Sequence, residues 1–236
     1  MVLSAVAALY DVHGNLPALD AVLSELDSEL ILVGGDVAVG PWPVETLERL
    51  RGLGDRVRFI RGNADREVGE PPRPGREGGP PPALLDFVRE QLSAEQIEFL
   101  GGLPLTESLD VAGLGTVLFC HATPRSDDEL LTRISPDERW QSALSAVRER
   151  VIVCGHTHVQ FDRLVGDVRV VNAGSVGMPY EHEPGAYWAM LGPEVELRRT
   201  PYDPPDIAAS GWPDEWPTAT PEDATEYFER MSREHA

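Results

Sequence analysis

The sequence predicts an α/β fold, and two features of the chain carry that prediction. Short apolar strands alternate with amphipathic helices through the first part of the chain, and beyond Leu105 the pattern changes to paired strands joined at glycine turns. The first half therefore reads as a parallel sheet with helical cover, and the second as a further sheet packed on it. A third observation places the site. Carboxylates and imidazoles recur at the carboxyl ends of the apolar runs, where open α/β sheets bind ligands.

Val2 to Leu9 carries no charge and reads as a strand buried on both faces. It leads into Asp11-Val12-His13-Gly14-Asn15 and then a helical pattern through Leu16, Leu19, Val22, Leu23 and Leu26, with Pro17 in the first turn. Leu30 to Val33 is a second strand, ending in Gly34-Gly35-Asp36, and Pro43 opens a helix through Leu47, Leu50 and Leu53. Val57 to Ile60 is a third strand, ending in Arg61-Gly62-Asn63-Ala64-Asp65. Three successive βα units make a parallel sheet. Gly69 to Pro82 is mostly proline and glycine without apolar periodicity, so it reads as a mobile surface insertion. It is either a solvated loop or a lid carrying Arg73 and Arg76 over the site.

Two helices follow, with Ser93 and Gln96 forming a capping box before Ile97, Phe99 and Leu100. Leu105 to Val111 and Thr116 to Phe119 form a hairpin around Gly113-Leu114-Gly115, and its second strand ends at Cys120-His121. Ser135, ahead of Pro136, is expected to cap a helix carrying Trp140, Leu144 and Val147. Val151 to Cys154 is a buried strand ending in Gly155-His156-Thr157-His158, and strands follow at 161–165, 168–171, 187–191 and 195–199. Residues 1–200 read as one domain. Residues 201–236 read as a tail docked on it, ending in a helix that Thr220 and Pro221 begin.

Composition narrows the chemistry. A hydrophobic content of 42% and a charged content of 25% describe a soluble globular chain. The first residues run into a core strand with no basic leader, and Cys120 and Cys154 lie in apolar runs. Both features predict a cytoplasmic protein with reduced thiols. The formal charge is −20, and every basic residue is arginine. Without lysine the chain offers no Schiff base and no P-loop. Its acidity opposes extended nucleic acid and anionic membranes, while a small phosphate ester remains open because bound metal ions reverse the local field. A homo-oligomer is left open.

Collected, the strand ends supply Asp11, His13, Asp36, Asn63, His121, His156 and His158. Two ions sharing a carboxylate would use such a mixed set more readily than one. Asp11-x-His13, Gly35-Asp36, Gly62-Asn63, His121 and Gly155-His156-x-His158 resemble, in order, the motifs of the calcineurin-like metallophosphoesterase superfamily. Within it the run after Asp36 and the later Asn172 to Gly177 resemble the bacterial YfcE-type phosphodiesterases.

The resemblance implies a four-layer α/β/β/α sandwich of two mixed sheets flanked by helices. It implies two divalent transition ions (Mn, Fe, Zn, Ni or Co) and hydrolysis of small phosphodiesters or nucleotides by a metal-bridging hydroxide. Asp11, His13 and His158 would hold one ion, Asn63, His121 and His156 the other, and Asp36 would bridge them, making Asp36 and His121 part of the catalytic apparatus. Asn15 is a candidate for binding substrate phosphate or for a plain helix cap, and Arg66 is a candidate substrate ligand.

The pattern departs at Ala64, where the superfamily carries the histidine associated with leaving-group protonation. His182, between Glu181 and Glu183, is the candidate replacement acid, with a solvated loop histidine as the alternative. A non-catalytic metal-binding scaffold of the same fold is the competing functional reading.

Overall fold

A computed structural model of the 236-residue chain describes residues 1–70, 79–204, 206–213 and 217–234. The first three units are β1 (Val6–Leu9), α1 (Leu16–Glu25), β2 (Leu30–Val33), α2 (Pro43–Arg51), β3 (Val57–Phe59) and α3 (Asn63–Gly69). They are followed by α4 (Pro82–Gln91), α5 (Ala94–Gly101), β4 (Thr106–Val111), β5 (Gly115–Cys120), α6 (Asp137–Ala143) and β6 (Val151–Cys154). The chain then runs through β7 (Phe161–Val165), β8 (Val168–Asn172), β9 (Ala186–Leu191), β10 (Val195–Thr200) and α7 (Pro221–Glu234). Most of the Gly69–Pro82 insertion, residues 71–78, lies outside the described residues.

Two five-stranded sheets result, in the orders β10-β9-β1-β2-β3 and β4-β5-β6-β8-β7. The expected second sheet is present, with one difference. The β9–β10 hairpin does not extend it but returns to the first sheet, pairing antiparallel with β1 from Val6 opposite Leu191 to Ala8 opposite Ala189. Its burial explains this: all of β9 is buried, so it needs cover on both faces, which the place beside β1 provides.

Side-chain alternation builds three cores from these two sheets. Ala7 and Leu9 of β1 face α1 and its neighbours, whereas Val6, Ala8 and Tyr10 face the other sheet. Across the gap, Val117 and Phe119 of β5 and Val151 and Val153 of β6 meet them. Leu118, Cys120, Ile152 and Cys154 point outward, onto Trp140 of α6. Helix, sheet, sheet and helix therefore form four layers, a metallo-dependent phosphatase fold. Tyr10 fastens the inner pair at the site end, its buried hydroxyl donating to the Val153 carbonyl oxygen at 2.9 Å.

The expected caps hold at two helices. Ser93 Oγ accepts the Gln96 N–H and Gln96 Oε1 accepts the Ser93 N–H, and Thr220 Oγ1 accepts the Asp223 N–H. Ser135 does not cap α6. Its oxygen accepts the Thr132 N–H at 2.8 Å and its proton goes to Glu229 of α7, so the hydroxyl is engaged away from the helix start. Thr132 Oγ1 donates to the same carboxylate at 2.6 Å, which fastens α7 to the loop before α6. No helix among the described residues is long and apolar enough to cross a membrane.

Cys120 and Cys154 end adjacent parallel strands, and both are buried free thiols. Burial pushes both thiols well above their ordinary pKa, which keeps them protonated and unreactive. Thiol titration of the native protein is expected to count neither, and titration in denaturant to count both. Modification of either before unfolding would contradict this packing.

Candidate metal centre

The site lies where both sheets deliver their strand ends. Asp11 and His13 follow β1, Asp36 follows β2, and Asn63 begins α3 after β3. His121 follows β5, while His156 and His158 follow β6. Parallel pairing of β1 with β2 continues into the loops, through Asp11 N–H to Gly35 O and His13 N–H to Asp36 O. The chain must then turn sharply. Asp11, His13, Asp36, His156 and His158 all have positive φ, from 47° to 66°, and they are the non-glycine residues with that conformation among those described. A side chain in the left-handed region costs about 1 kcal/mol or more, and such strain gathers at functional sites.

Neighbouring chain is cut away to let these residues meet. A Cβ at Gly62 would stand 2.1 Å from Asp36 Oδ1, and one at Gly155 would stand 2.4 Å from Asp11 Oδ2. Asn172 Nδ2 donates to the Gly155 carbonyl at 2.6 Å, and Ser175 Oγ donates to the Asp11 carbonyl at 2.7 Å. The Asn172–Ser175 turn thus shapes the rim by holding the ligand loops.

Each carboxylate is tied by one oxygen and turns the other inward. Asp11 Oδ2 accepts the His156 N–H at 2.8 Å, leaving Oδ1 buried without a hydrogen-bond partner. Asp36 Oδ1 accepts the Ala64 N–H at 2.8 Å, while Oδ2 lies 3.5 Å from His121 Nε2 and 3.8 Å from His13 Nε2. Asp11 Oδ1 reaches His158 Nε2 at 3.2 Å, His121 Nε2 at 3.8 Å and His13 Nε2 at 3.9 Å. Both carboxylates, not Asp36 alone, therefore stand between the His13–His158 pair and His121.

The imidazoles are oriented the same way. Nδ1 of His13, His121 and His158 lies 3.1, 2.8 and 2.6 Å from the carbonyl oxygens of Val39, Gly34 and Met178. A carbonyl only accepts, so each Nδ1 carries the proton and, in the neutral ring, each Nε2 presents a lone pair. Yet His13 Nε2 faces His158 Nε2 at 3.2 Å, and His121 Nε2 faces Asn63 Oδ1 at 3.2 Å. His156 Nε2 is buried with no partner, its ring 5.0 Å from that of His121. Acceptors facing acceptors in a buried space are stable only with positive charge between them. The residues fit divalent transition ions, by donor type and by these orphaned atoms. Two compact groups qualify, Asp11 with His13 and His158, and Asp11 with Asp36 and His121.

The protons show the same need. Burial opposes charge on His121, but Asp36 and Asp11 override it and push its pKa up to about 10. His156 goes the other way, to about 4, because burial and the neighbouring His121 both disfavour its charged form. Burial also opposes ionisation of Asp36, yet His121 holds its carboxyl well below the usual range. Asp65 is pushed up to about 7 by burial and by Asp36, against the pull of its hydrogen bonds. It accepts the N–H groups of Asp36, Val37 and Gly62 at 2.8 to 3.0 Å. With no histidine at position 64 to orient, Asp65 fastens the β2 and β3 loops to each other.

Asn15 and His182 take the plainer of their two expected readings, and Arg66 is engaged elsewhere. Asn15 is the helix cap: its Oδ1 accepts the Ala18 N–H, and its amide donates to Gly177 O and Tyr202 OH. Arg66 is buried on α3 and paired with Asp127 at 2.9 Å and Asp128 at 3.2 Å, so its donors are turned away from a substrate. His182 is 66% exposed and pairs with Glu222 of α7 at 3.1 Å, away from the cavity lining. Tyr180 was not anticipated. Its ring stacks on His158 at 5.0 Å and 19°, and burial, with Asp11, pushes its pKa up to about 12.

Gly62→Ala is expected to lower metal content below that of the unaltered protein and to destabilise it by about 1–3 kcal/mol, because the new methyl meets fixed backbone and the Asp36 carboxylate. Elemental analysis with denaturant unfolding checks it. Unchanged metal content and stability would refute the close approach.

The comparisons agree with this geometry. The sequence profile of the calcineurin-like phosphoesterase superfamily domain matches residues 5–192. An uncharacterised protein of Methanocaldococcus jannaschii is 26% identical, over 86% of this chain and 90% of its own. The crystal structure of a metallophosphoesterase from Sphaerobacter thermophilus is 25% identical, with a TM-score of 0.67 over 96% of this chain and 99% of that one. A hypothetical protein from Pyrococcus horikoshii, 23% identical, shares the fold with a TM-score of 0.75 over 97% of this chain and 98% of its own. The chain belongs to the calcineurin-like phosphoesterase superfamily.

Proposed function

We propose that the chain hydrolyses small phosphodiesters or nucleotides at a pair of divalent transition ions. Asp11, His13 and His158 would hold one ion and Asn63, His121 and His156 the other, with Asp36 as the shared carboxylate and Asp11 also within reach of both sets. The observation that carries the reading is the convergence of Nε2 lone pairs and untethered carboxylate oxygens on one buried space. Divalent ions in such a pair supply Lewis acidity and lower the pKa of water.

The chain's own residues orient and exclude. Carbonyls of Val39, Gly34 and Met178 fix three imidazoles, and Asp65 fixes the loop bearing Asp36. Ala64 contributes only its backbone N–H, so that position gives no proton to a departing alkoxide. The net charge of −20 supports a small substrate over extended nucleic acid, and the two buried free cysteines support a reducing compartment, the cytoplasm.

Asp36→Asn is expected to lower kcat/KM on a bis-aryl phosphodiester by about 100-fold or more, since outer partners of a metal alone are worth 10–100-fold. Elemental analysis should find fewer than two ions per chain. Full rate with both ions retained would refute the assignment, and two ions with no hydrolysis of any ester would make the chain a metal-binding scaffold.

A missing acid shows in the leaving group. General-acid help is worth about 10²–10⁴-fold, and aryl oxides leave without it whereas alkoxides do not. Rates on a phosphodiester series should fall steeply as leaving-group pKa rises. His182→Ala should leave the aryl-to-alkyl ratio unchanged. A selective loss on alkyl substrates would show that His182 reaches the site after all.

A further inference from the structure

A cavity of about 520 Å³ opens above the metal-ligating residues, with His13, Asp36, Asn63, His156 and His158 in its floor. That size suits a small organic ligand. Its walls have a different character, built from Leu84, Met178, Tyr180, Trp212, Tyr227 and Phe228. Tyr180 joins floor to wall. One face of its ring stacks on His158, and its centroid lies 6.3 Å from that of Phe228. Phe228 in turn meets Tyr227 edge-on, at 5.4 Å and 73°. Tyr227 is still 43% exposed while it lines the cavity, with the Arg230 guanidinium 5.5 Å from its ring centroid, so the aromatic wall reaches solvent beside the site.

The wall is held in place. Glu229, one residue beyond Phe228, is buried and accepts hydrogen bonds from Thr132 and Ser135, and Arg133 pairs with Glu222 at 3.1 Å. Trp212 is set edge-on against Phe87 of α4, 5.3 Å between centroids. Rings fixed in this way, next to groups that would hold a phosphate, favour a flat partner that stacks on or edges into them.

We propose that this cavity binds a planar aromatic group carried by the phosphate ester, an aryl ring or a nucleobase, and that Tyr180, Tyr227 and Phe228 select it. The inference rests on the phosphoesterase reading for the phosphate at the floor. It adds the substrate class: esters with a flat ring within reach of the phosphorus, ahead of aliphatic ones.

Calorimetry on the metal-loaded, full-length protein tests it without turnover, comparing phenylphosphonate with methylphosphonate, which carry the same headgroup. Phenylphosphonate should bind about tenfold tighter or better, the scale of one aromatic contact in an apolar pocket. Phe228→Ala should cut that preference severalfold with metal content and methylphosphonate affinity retained, Tyr180→Ala should also cut it, and Tyr180→Phe should keep it. A second pair, the non-hydrolysable 5′-methylenephosphonate analogues of adenosine 5′-monophosphate and ribose 5-phosphate, separates the two sources of the ring. Preference for the adenosine analogue assigns a nucleobase, and preference in the phenyl pair alone assigns an aryl group. Equal affinities in both pairs, or a preference that survives both alanine variants, would overturn the proposal. Hydrolysis of a bis-aryl phosphodiester is scored separately. Turnover without ring preference refutes this inference alone, and ring preference without turnover refutes the hydrolytic reading alone.

Discussion

The site depends on a backbone constraint. Five residues with side chains adopt a conformation that favours glycine, and each of them is a carboxylate or an imidazole aimed at the same space. A strand that ended in an ordinary turn would carry its last side chain past the sheet edge. A left-handed residue two to four positions beyond the strand turns the chain back over that edge. Such strain persists only where the surroundings over-determine it. Here the Gly35 carbonyl holds Asp11, the Asp36 carbonyl holds His13, and the Ser175 hydroxyl and Gly177 N–H both reach the Asp11 carbonyl.

The electrostatics follow from that geometry. The backbone takes up one end of each polar group, through a carbonyl on Nδ1 or an N–H on a carboxylate oxygen, and leaves the other end to its equals. Carboxylate faces imidazole favourably, and a protonated His121 donates from Nε2 to Asn63 Oδ1, but nitrogen faces nitrogen between His13 and His158. The opposite directions in which His121 and His156 are pushed, within one ring contact of each other, express a site with more acceptors than protons. Its stability is therefore linked to the cations it binds.

Much of this was legible in the sequence because ligands and the strands that carry them are contiguous. An apolar run followed by Asp-x-His or Gly-His-x-His states both the element and the residue it presents, so the seven candidate ligands and nearly all strands could be placed. What was not legible depends on partners far along the chain. Nothing near Arg66 announces Asp127, sixty-one residues on, and nothing near Ser135 announces Glu229, ninety-four residues on. A pairing that distant has no local period, so Arg66 read as a free cation and Ser135 as a cap. The return of β9 and β10 to the first sheet was hidden for the same reason: a hairpin's pattern states its two strands and not the neighbour it joins. The last helix read as a docked tail, since amphipathicity does not tell a helix that covers a core from one that walls a cavity.

Tyr10 gives the inner gap a gauge. Its ring fills the space that a side chain at Gly34 or Gly155 would take, with Cβ positions only 2.1 and 2.6 Å from its atoms, and its hydroxyl reaches across to β6. Tyr10 directly follows β1 of the sheet whose strands lead to Asp11 and Asp36, and its hydroxyl reaches the sheet whose strands lead to His121 and His156. The gap between the sheets at this end is thus filled by one buried phenol, as the jaws of a calliper are set by the block between them. Loop exchange at the rim would leave this dimension alone. A slimmer or broader residue at position 10 would reset it, and with it the size of ion the two halves can grip together.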